Sequence, residues 1–234
     1  VGGQWGTYYG RKWRTDPTTG QTLIDATGQP LYDINVPIGN VLPKFTGGMF
    51  NAFKYKAFDL TFSIDFQSGG KVFSVTRMFN NYSGLGIETV GLNNLGNPVR
   101  DAVADGGGVL IEGVDATTGL PVSYNVEAQT YWGRLFALHE RWLYDASYVK
   151  LREVSITYNF PSSLSKKLLV QDMKFSIVGT NLWIINKNLP DADPESGLGS
   201  GNLSSGYSVG SLPTTRNIGC NCSLDTDRLK RLCN

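Results

Sequence analysis

From Phe58 to Gln67 the sequence alternates without a break. Phe58, Leu60, Phe62, Ile64 and Phe66 take the even positions; Asp59, Thr61, Ser63, Asp65 and Gln67 take the odd ones. Successive side chains of an extended chain point to opposite faces, so this period of two specifies a β-strand with one apolar and one polar side. The pattern recurs as Val154, Ile156, Tyr158 and Phe160 against Ser155, Thr157 and Asn159, and as Met173, Phe175 and Ile177 against Asp172, Lys174 and Ser176. Alternation leaves open what the apolar side meets. In a soluble sandwich it packs inward against a second sheet, and in a membrane barrel it faces lipid. From Phe58 to Phe66 a strand rises about 27 Å, or about 21 Å along the membrane normal at a tilt of ~40°. That approaches the ~25 Å apolar band of an outer-membrane barrel, with an aromatic near each rim.

The connections discriminate better than the strands. The sequence predicts strands over about 45–55, 58–66, 145–160, 172–185 and 214–224, with a tight turn near Lys56. Pro161 to Leu169, opening on Pro and Ser, predicts a short helical turn. Between these lie 68–144, without sustained alternation, and 186–213, rich in Gly, Ser and Asp. Short and long connections therefore alternate strictly, as in an antiparallel barrel with short periplasmic turns and long extracellular loops, whereas a sandwich has no such bias. On that reading the strand 214–224 runs toward the periplasm. Within the long stretch, Lys71 to Phe79 predicts a short helix, and Asp105-Gly-Gly-Gly108 and Asp115-Ala-Thr-Thr-Gly119 predict turns. Residues 1–44 read as turn-rich, punctuated by Asp16-Pro-Thr-Thr-Gly20 and Ala26-Thr-Gly-Gln-Pro30, with a short β-prone piece at Thr22-Leu-Ile24.

Composition narrows the function class. The 234 residues carry 21 Lys and Arg against 20 Asp and Glu, so no overall field favours nucleic acid or an acidic partner. No apolar run approaches the ~20 residues of a transmembrane helix, and a mean hydropathy of −0.17 fits a barrel whose lumen-facing residues are polar. Val1-Gly-Gly-Gln-Trp5 has neither the basic start nor the apolar stretch of a signal peptide, which reads as a chain beginning inside a longer protein.

Catalytic, cofactor and metal sites are not predicted, and the chain does not read as an enzyme. His139 is the single histidine, which excludes paired-histidine zinc motifs, and no G-x-S-x-G elbow accompanies it; a structural role is expected. Cys220, Cys222 and Cys233 lack partners for a metal site and read as incidental thiols, the first two on one strand face. Asp191, Asp193 and Glu195 echo a calcium loop, but Pro194 and a Gly in the seventh place break that pattern, so an exposed acidic loop is expected. Gly197-Leu-Gly-Ser-Gly201 is followed by no helix and reads as a loop, not a phosphate cradle. Tyr131, Trp132, Trp142 and Tyr144 suit either sugar stacking or packing and girdle roles, the latter being commoner.

Several ordered segments resemble the SusC/RagA family, the TonB-dependent outer-membrane importers of Bacteroidetes. The strongest is Asp145-Ala-Ser-Tyr-Val-Lys-Leu-Arg-Glu-Val-Ser-Ile-Thr-Tyr-Asn-Phe-Pro161. Others are Ile38-Gly39 with Pro43-Lys-Phe-Thr-Gly-Gly48, Asn51-Ala-Phe-Lys-Tyr-Lys-Ala-Phe-Asp-Leu60, Phe66-Gln-Ser-Gly-Gly-Lys71, Ile177-Val-Gly-Thr-Asn-Leu182, and Thr215-Arg216 with Gly219. The resemblance implies an all-β, antiparallel transmembrane β-barrel of about 22 strands, of which residues 1–224 form the C-terminal part. It implies a far longer protein with a leader, a carboxypeptidase-like domain, a TonB box and a plug. It implies a cell outer membrane location with a periplasmic C-terminus, no cofactor, a SusD-like surface lipoprotein partner, the TonB complex acting through a region outside this chain, contact with outer-membrane lipid, and oligosaccharide or peptide cargo. The residues touching cargo are left unassigned; loops 68–144 and 186–213 are expected to face it. The family ends on an aromatic residue, so the charged tail 225–234 is atypical. The alternative is a soluble β-sandwich glycan-binding module, in which Leu60 and Ile64 face a protein core; a β-rich hydrolase ranks behind it.

Overall fold

The structure, a computed structural model, describes residues 2–168, 170, 172–195, 206–210 and 212–224, the side chain of Lys166 excepted. The segment Gly197–Gly201, Cys233 and the tail 225–234 lie outside the described residues. In chain order the elements are β1 (Thr7–Trp13), β2 (Leu23–Ile24), β3 (Tyr32–Asn40), β4 (Phe45–Tyr55), β5 (Phe58–Ser68), β6 (Lys71–Ser74), α1 (Val75–Tyr82), β7 (Val109–Asp115), β8 (Pro121–Val126), α2 (Ala128–Phe136), β9 (Leu143–Asp145), β10 (Tyr148–Asn159), α3 (Ser162–Lys167), β11 (Met173–Lys187), β12 (Tyr207–Ser208) and β13 (Asn217–Leu224). They fall into two compact units. One takes in Val1–Leu42, Gly70–Asp145 and Gly197–Ser211, and the other takes in Pro43–Gly69, Ala146–Ser196 and Leu212–Asn234.

The second unit is a five-stranded antiparallel sheet in the order β13-β11-β10-β5-β4, each strand beside its sequence neighbour in the sheet. Register follows the alternation: Leu60 sits opposite Ile156 and Phe53, Ile156 opposite Ile177, and Ile177 opposite Cys220. Cys220 and Cys222 thus share the apolar face, both exposed. One residue interrupts the pattern. In β10 the apolar positions shift from odd (Val149, Leu151) to even (Val154, Ile156, Tyr158), and the ladders to β5 and β11 both shift register between Leu151 and Glu153. A bulge at Arg152 absorbs the slip; without it every side chain beyond would change face.

The apolar face is exposed. Leu60 keeps 37% of its surface accessible, and Phe53, Phe58, Ile156, Ile177 and Ile218 are more exposed still. A sandwich requires this face to be a protein core, so that alternative is not what the structure shows. Aromatics mark both ends. Tyr55, Phe58 and Tyr158 lie by the short turns, with Phe58 and Tyr158 rings 4.9 Å apart, and Phe45 and Phe66 pair at 6.1 Å by the long connections. Between them lie Leu60, Phe62, Ile64, Val154, Ile156 and Ile177, an apolar band like a barrel's lipid face between two aromatic girdles. Phe66 also explains a motif glycine, since its ring lies over Gly47, where a Cβ would approach within 2.8 Å. The opposite face is polar. Thr157 and Ser176 share a 2.8 Å hydrogen bond, and Asn159 donates to Asp59 at 2.8 Å.

The turn at Lys56 has the left-handed backbone that a two-residue hairpin demands (φ 52°). The β10–β11 turn holds α3, as expected. Both short connections lie at one end of the sheet, and those between β5 and β10 and between β11 and β13 leave from the other.

The first unit holds what the sequence left as loop. β1 and β3 form an antiparallel ladder, hidden in the sequence because Pro37 and the left-handed Asn35 (φ 57°) break β3's alternation. β7 and β8 form a hairpin on which β2 adds in parallel. The expected helix at Lys71–Phe79 starts late: 71–74 pair as strand β6, and α1 begins only where Ser74 caps it, its hydroxyl accepting the Arg77 N–H at 3.3 Å. The core gathers Tyr8, Phe73, Trp132, Leu135, Leu138 and Trp142. Trp142 is fully buried and donates its indole N–H to the Leu135 carbonyl at 2.9 Å.

In the intact protein, Leu60→Arg is expected to cost about 2–4 kcal/mol, as a cation near a bilayer midplane does, whereas Thr61→Arg on the polar face stays mild. Denaturant titration of the membrane-inserted protein separates the two; equal costs would contradict the assignment of faces.

Candidate functional site

The polar face carries a charge network at the end of the sheet where the long connections leave. β10 supplies Tyr148, Lys150 and Arg152, and Asp65 of β5 stands opposite Lys150 in the ladder. The residues after β11 supply Asp193 and Glu195. The Lys150 ammonium is paired with Asp193 and with Glu195, the latter at 2.5 Å, and sits 5.2 Å from the centre of the Tyr148 ring. Lys150 is only 3% exposed and Asp193 2%. Arg152 bridges Glu195 to Asp65, its Nε donating to Asp65 at 2.6 Å. Tyr148 donates its hydroxyl to Glu195 at 2.6 Å, and Thr214 donates to Asp193 at 2.6 Å.

This corrects the expected exposed acidic loop. Asp193 is buried, and the cations of β10 take up both its carboxylate and that of Glu195. Among the described residues no three His, Cys, Asp or Glu side chains gather as a metal site. The network was missed because its charges are far apart in sequence. The available signal was three charged residues, Asp65, Lys150 and Arg152, at the same end of the polar faces of two strands.

A buried ion pair forms only where each charge is returned a full set of partners. Burial pushes the Asp193 carboxyl up, but Lys150, the Thr214 hydroxyl and the Glu195 backbone N–H outweigh it and hold it below the ordinary carboxylate value. For Glu195, burial is likewise outweighed by Arg152, Lys150 and Tyr148.

The other candidates lie in the first unit. His139 accepts the Arg11 backbone N–H at its Nδ1 (3.2 Å), and burial, then the Arg11 cation, lower its pKa. Trp142 is core, and Tyr144 accepts from Arg77 Nε at 2.8 Å. Tyr131 packs edge-on against Trp132. Trp132, itself mostly buried, lines a cavity of about 380 Å³ with Asn81, Arg100, Glu127 and Gln129 among others.

No protein-family profile matches the chain. Its sequence is similar to two curated proteins of Formosa agariphila. TonB-dependent receptor P3 is 28% identical over 184 residues, which is 76% of this chain and 16% of that protein. TonB-dependent receptor P26 is 27% identical over 195 residues, 80% of this chain and 17% of that protein. The chain thus spans about a sixth of the length of these relatives. Among solved structures it resembles the RagAB peptide importer in a closed-closed state (TM-score 0.55, 16% identity, 94% of this chain and 24% of that one). The open-open state matches similarly (TM-score 0.56, 15% identity, 95% and 23%).

The carboxylates of Asp193 and Glu195 have depressed pKa values, so their stabilisation is complete above the ordinary carboxylate range, about pH 4, and is lost as pH falls through the lowered values. Thermal stability of the folded protein is therefore expected to stay level from about pH 7 to about pH 5 on their account. In Lys150→Met the ammonium no longer holds the Asp193 carboxyl down, so the loss of stability on acidification shrinks, and the variant is destabilised by about 3–5 kcal/mol at neutral pH. An unchanged pH profile in that variant would contradict the network. In sequence and in fold alike, the chain resembles part of the strand wall of a SusC/RagA-type TonB-dependent outer-membrane transporter.

Proposed function

We propose that this chain is barrel wall of an outer-membrane importer, the SusC-like component of a complex with a SusD-like surface lipoprotein, and that it takes up oligosaccharides or peptides with energy delivered through TonB by a region outside this chain. The observation that carries the reading is the two-faced sheet: an exposed apolar face between aromatic ends, backed by a polar face lined with hydroxyls and paired charges. Such a sheet satisfies lipid on one side and a water-filled path on the other. The kinship with TonB-dependent receptors and the fold likeness to a peptide importer support the same reading.

On this reading the connection through Lys56 and that through α3 face the periplasm, the connections after β5 and β11 face outward, and β13 descends so that its C-terminal end is periplasmic. Residues 1–224 then form one barrel segment with its extracellular elaborations, and 225–234 a tail beyond it. Cargo contacts fall to the outward connections, where the cavity beside Trp132 offers indole, amide and charged groups together. The role is transport, not catalysis.

Fractionation of native cells tests the proposal. The protein containing this sequence is expected in the outer-membrane fraction, co-purifying in mild detergent with a lipoprotein, at a length near 1,150 residues, since a 184-residue match spans 16% of one relative. Uptake of labelled oligopeptides and oligosaccharides by cells with and without the gene then assigns the cargo. Recovery as a soluble species of this chain's size would refute it.

A further inference from the structure

The charge network does more than fill the polar face, because its partners come from both ends of one connection. Asp193 and Glu195 lie within nine residues after β11, and Thr214 lies three residues before β13. Asp193 joins the two ends: one oxygen is paired with Lys150 and the other accepts the Thr214 hydroxyl. Further ties act at the same place. Lys187 donates to the Ala192 carbonyl at 3.0 Å, Asn181 donates to the Thr215 carbonyl at 3.3 Å, and Leu189 is buried to 1% exposure. Lys150 sits at the centre, on a strand hydrogen-bonded on both sides.

We propose that Lys150 is a positioning residue that fixes both roots of the β11–β13 connection on the water-facing side of the strand wall, making residues 188–195 and 212–216 a permanent inner lining of the transport path and not a lid that swings during uptake. The inference rests on the importer reading for what that side faces. The physical reason is the asymmetry of buried charge: with its partners in place the cluster is satisfied, but moving the segment away takes both carboxylates from the Lys150 ammonium at once and leaves Arg152 with Asp65 alone. A hinge needs a low-cost open state, and this network denies it one.

The test uses the full-length protein in native outer membranes, with Cys220, Cys222 and Cys233 replaced by Ser and Ala192→Cys as reporter, labelled by a small membrane-impermeant methanethiosulfonate. Persistence of a folded band on unheated gels reports the barrel separately, so failure of the importer reading (no outer-membrane barrel) is distinct from failure of the latch. With the barrel intact, labelling of Ala192→Cys is expected to be slow, equal in energised and protonophore-treated cells, at least tenfold faster in Lys150→Met, and restored toward the parent rate in Lys150→Arg. Should Lys150→Met not reach the membrane, Asp193→Asn carries the comparison, with labelling at least threefold faster than the parent expected. A parent rate that changes severalfold with energisation would show a moving lid, and a rate unaffected by Lys150→Met or Asp193→Asn would remove Lys150 from the role; either result overturns the proposal.

Discussion

A pleated strand has two faces, and the structure of the second unit depends on keeping them apart. The five strands share one apolar face, and the ladder registers stack Phe53, Leu60, Ile156, Ile177 and Cys220 in one row across the sheet. A slip of a single residue would put Asp59, Asp65 or Lys150 among them. The bulge at Arg152 is therefore part of the design: it corrects an odd-to-even change in β10 and lets Leu151 and Val154 share a face. Because that face is left exposed, the surrounding medium, not another layer of protein, is what stabilises it.

The polar face has the opposite problem. Hydroxyls such as Thr157 and Ser176 satisfy one another or water at little cost, but Lys150 is removed from water almost completely. Its charge is compensated by drawing Asp193 and Glu195 down from the following connection, which in turn places Arg152 and Tyr148 as their remaining partners. Local strand chemistry and long-range loop placement are thus one arrangement. The glycines of the family-like motifs have the same kind of cause: Gly47 leaves room for the Phe66 ring, and Gly69, at φ 76°, lets the chain turn away at the end of β5.

The sheet was legible in the sequence, and of the first unit only features such as the turns at 16–20 and 115–119, the β-prone piece at 22–24 and the latter part of the helix expected at 71–79 were. Strands β4, β5, β10, β11 and β13 could be placed within a few residues because period-two alternation survives whatever solvent lies outside. β1 and β3 escaped because Asn35 and Pro37 interrupt the pattern, and α2 and the β7–β8 hairpin because their residues are split between a small core and water with no strict period. Among candidate residues, His139 accepts from the Arg11 backbone, 128 residues away in sequence, and Trp142 lies in the core of the first unit. Of the Asp193 cluster only the charged strand positions Asp65, Lys150 and Arg152 gave a signal: the loop's composition is that of an exposed acidic turn, and only the fold brings it to Lys150, 43 residues away.

The central claim is that the even positions of β5 meet lipid and the odd ones meet water. Single nitroxide labels placed in turn from Phe58 to Gln67 of the membrane-inserted protein measure this directly, through collision with oxygen, which concentrates in the bilayer, and with a nickel chelate, which stays in water. The account predicts two profiles with a period of two residues and opposite phase, oxygen favouring Phe58, Leu60, Phe62, Ile64 and Phe66. Profiles without that period, or in phase with each other, would contradict it.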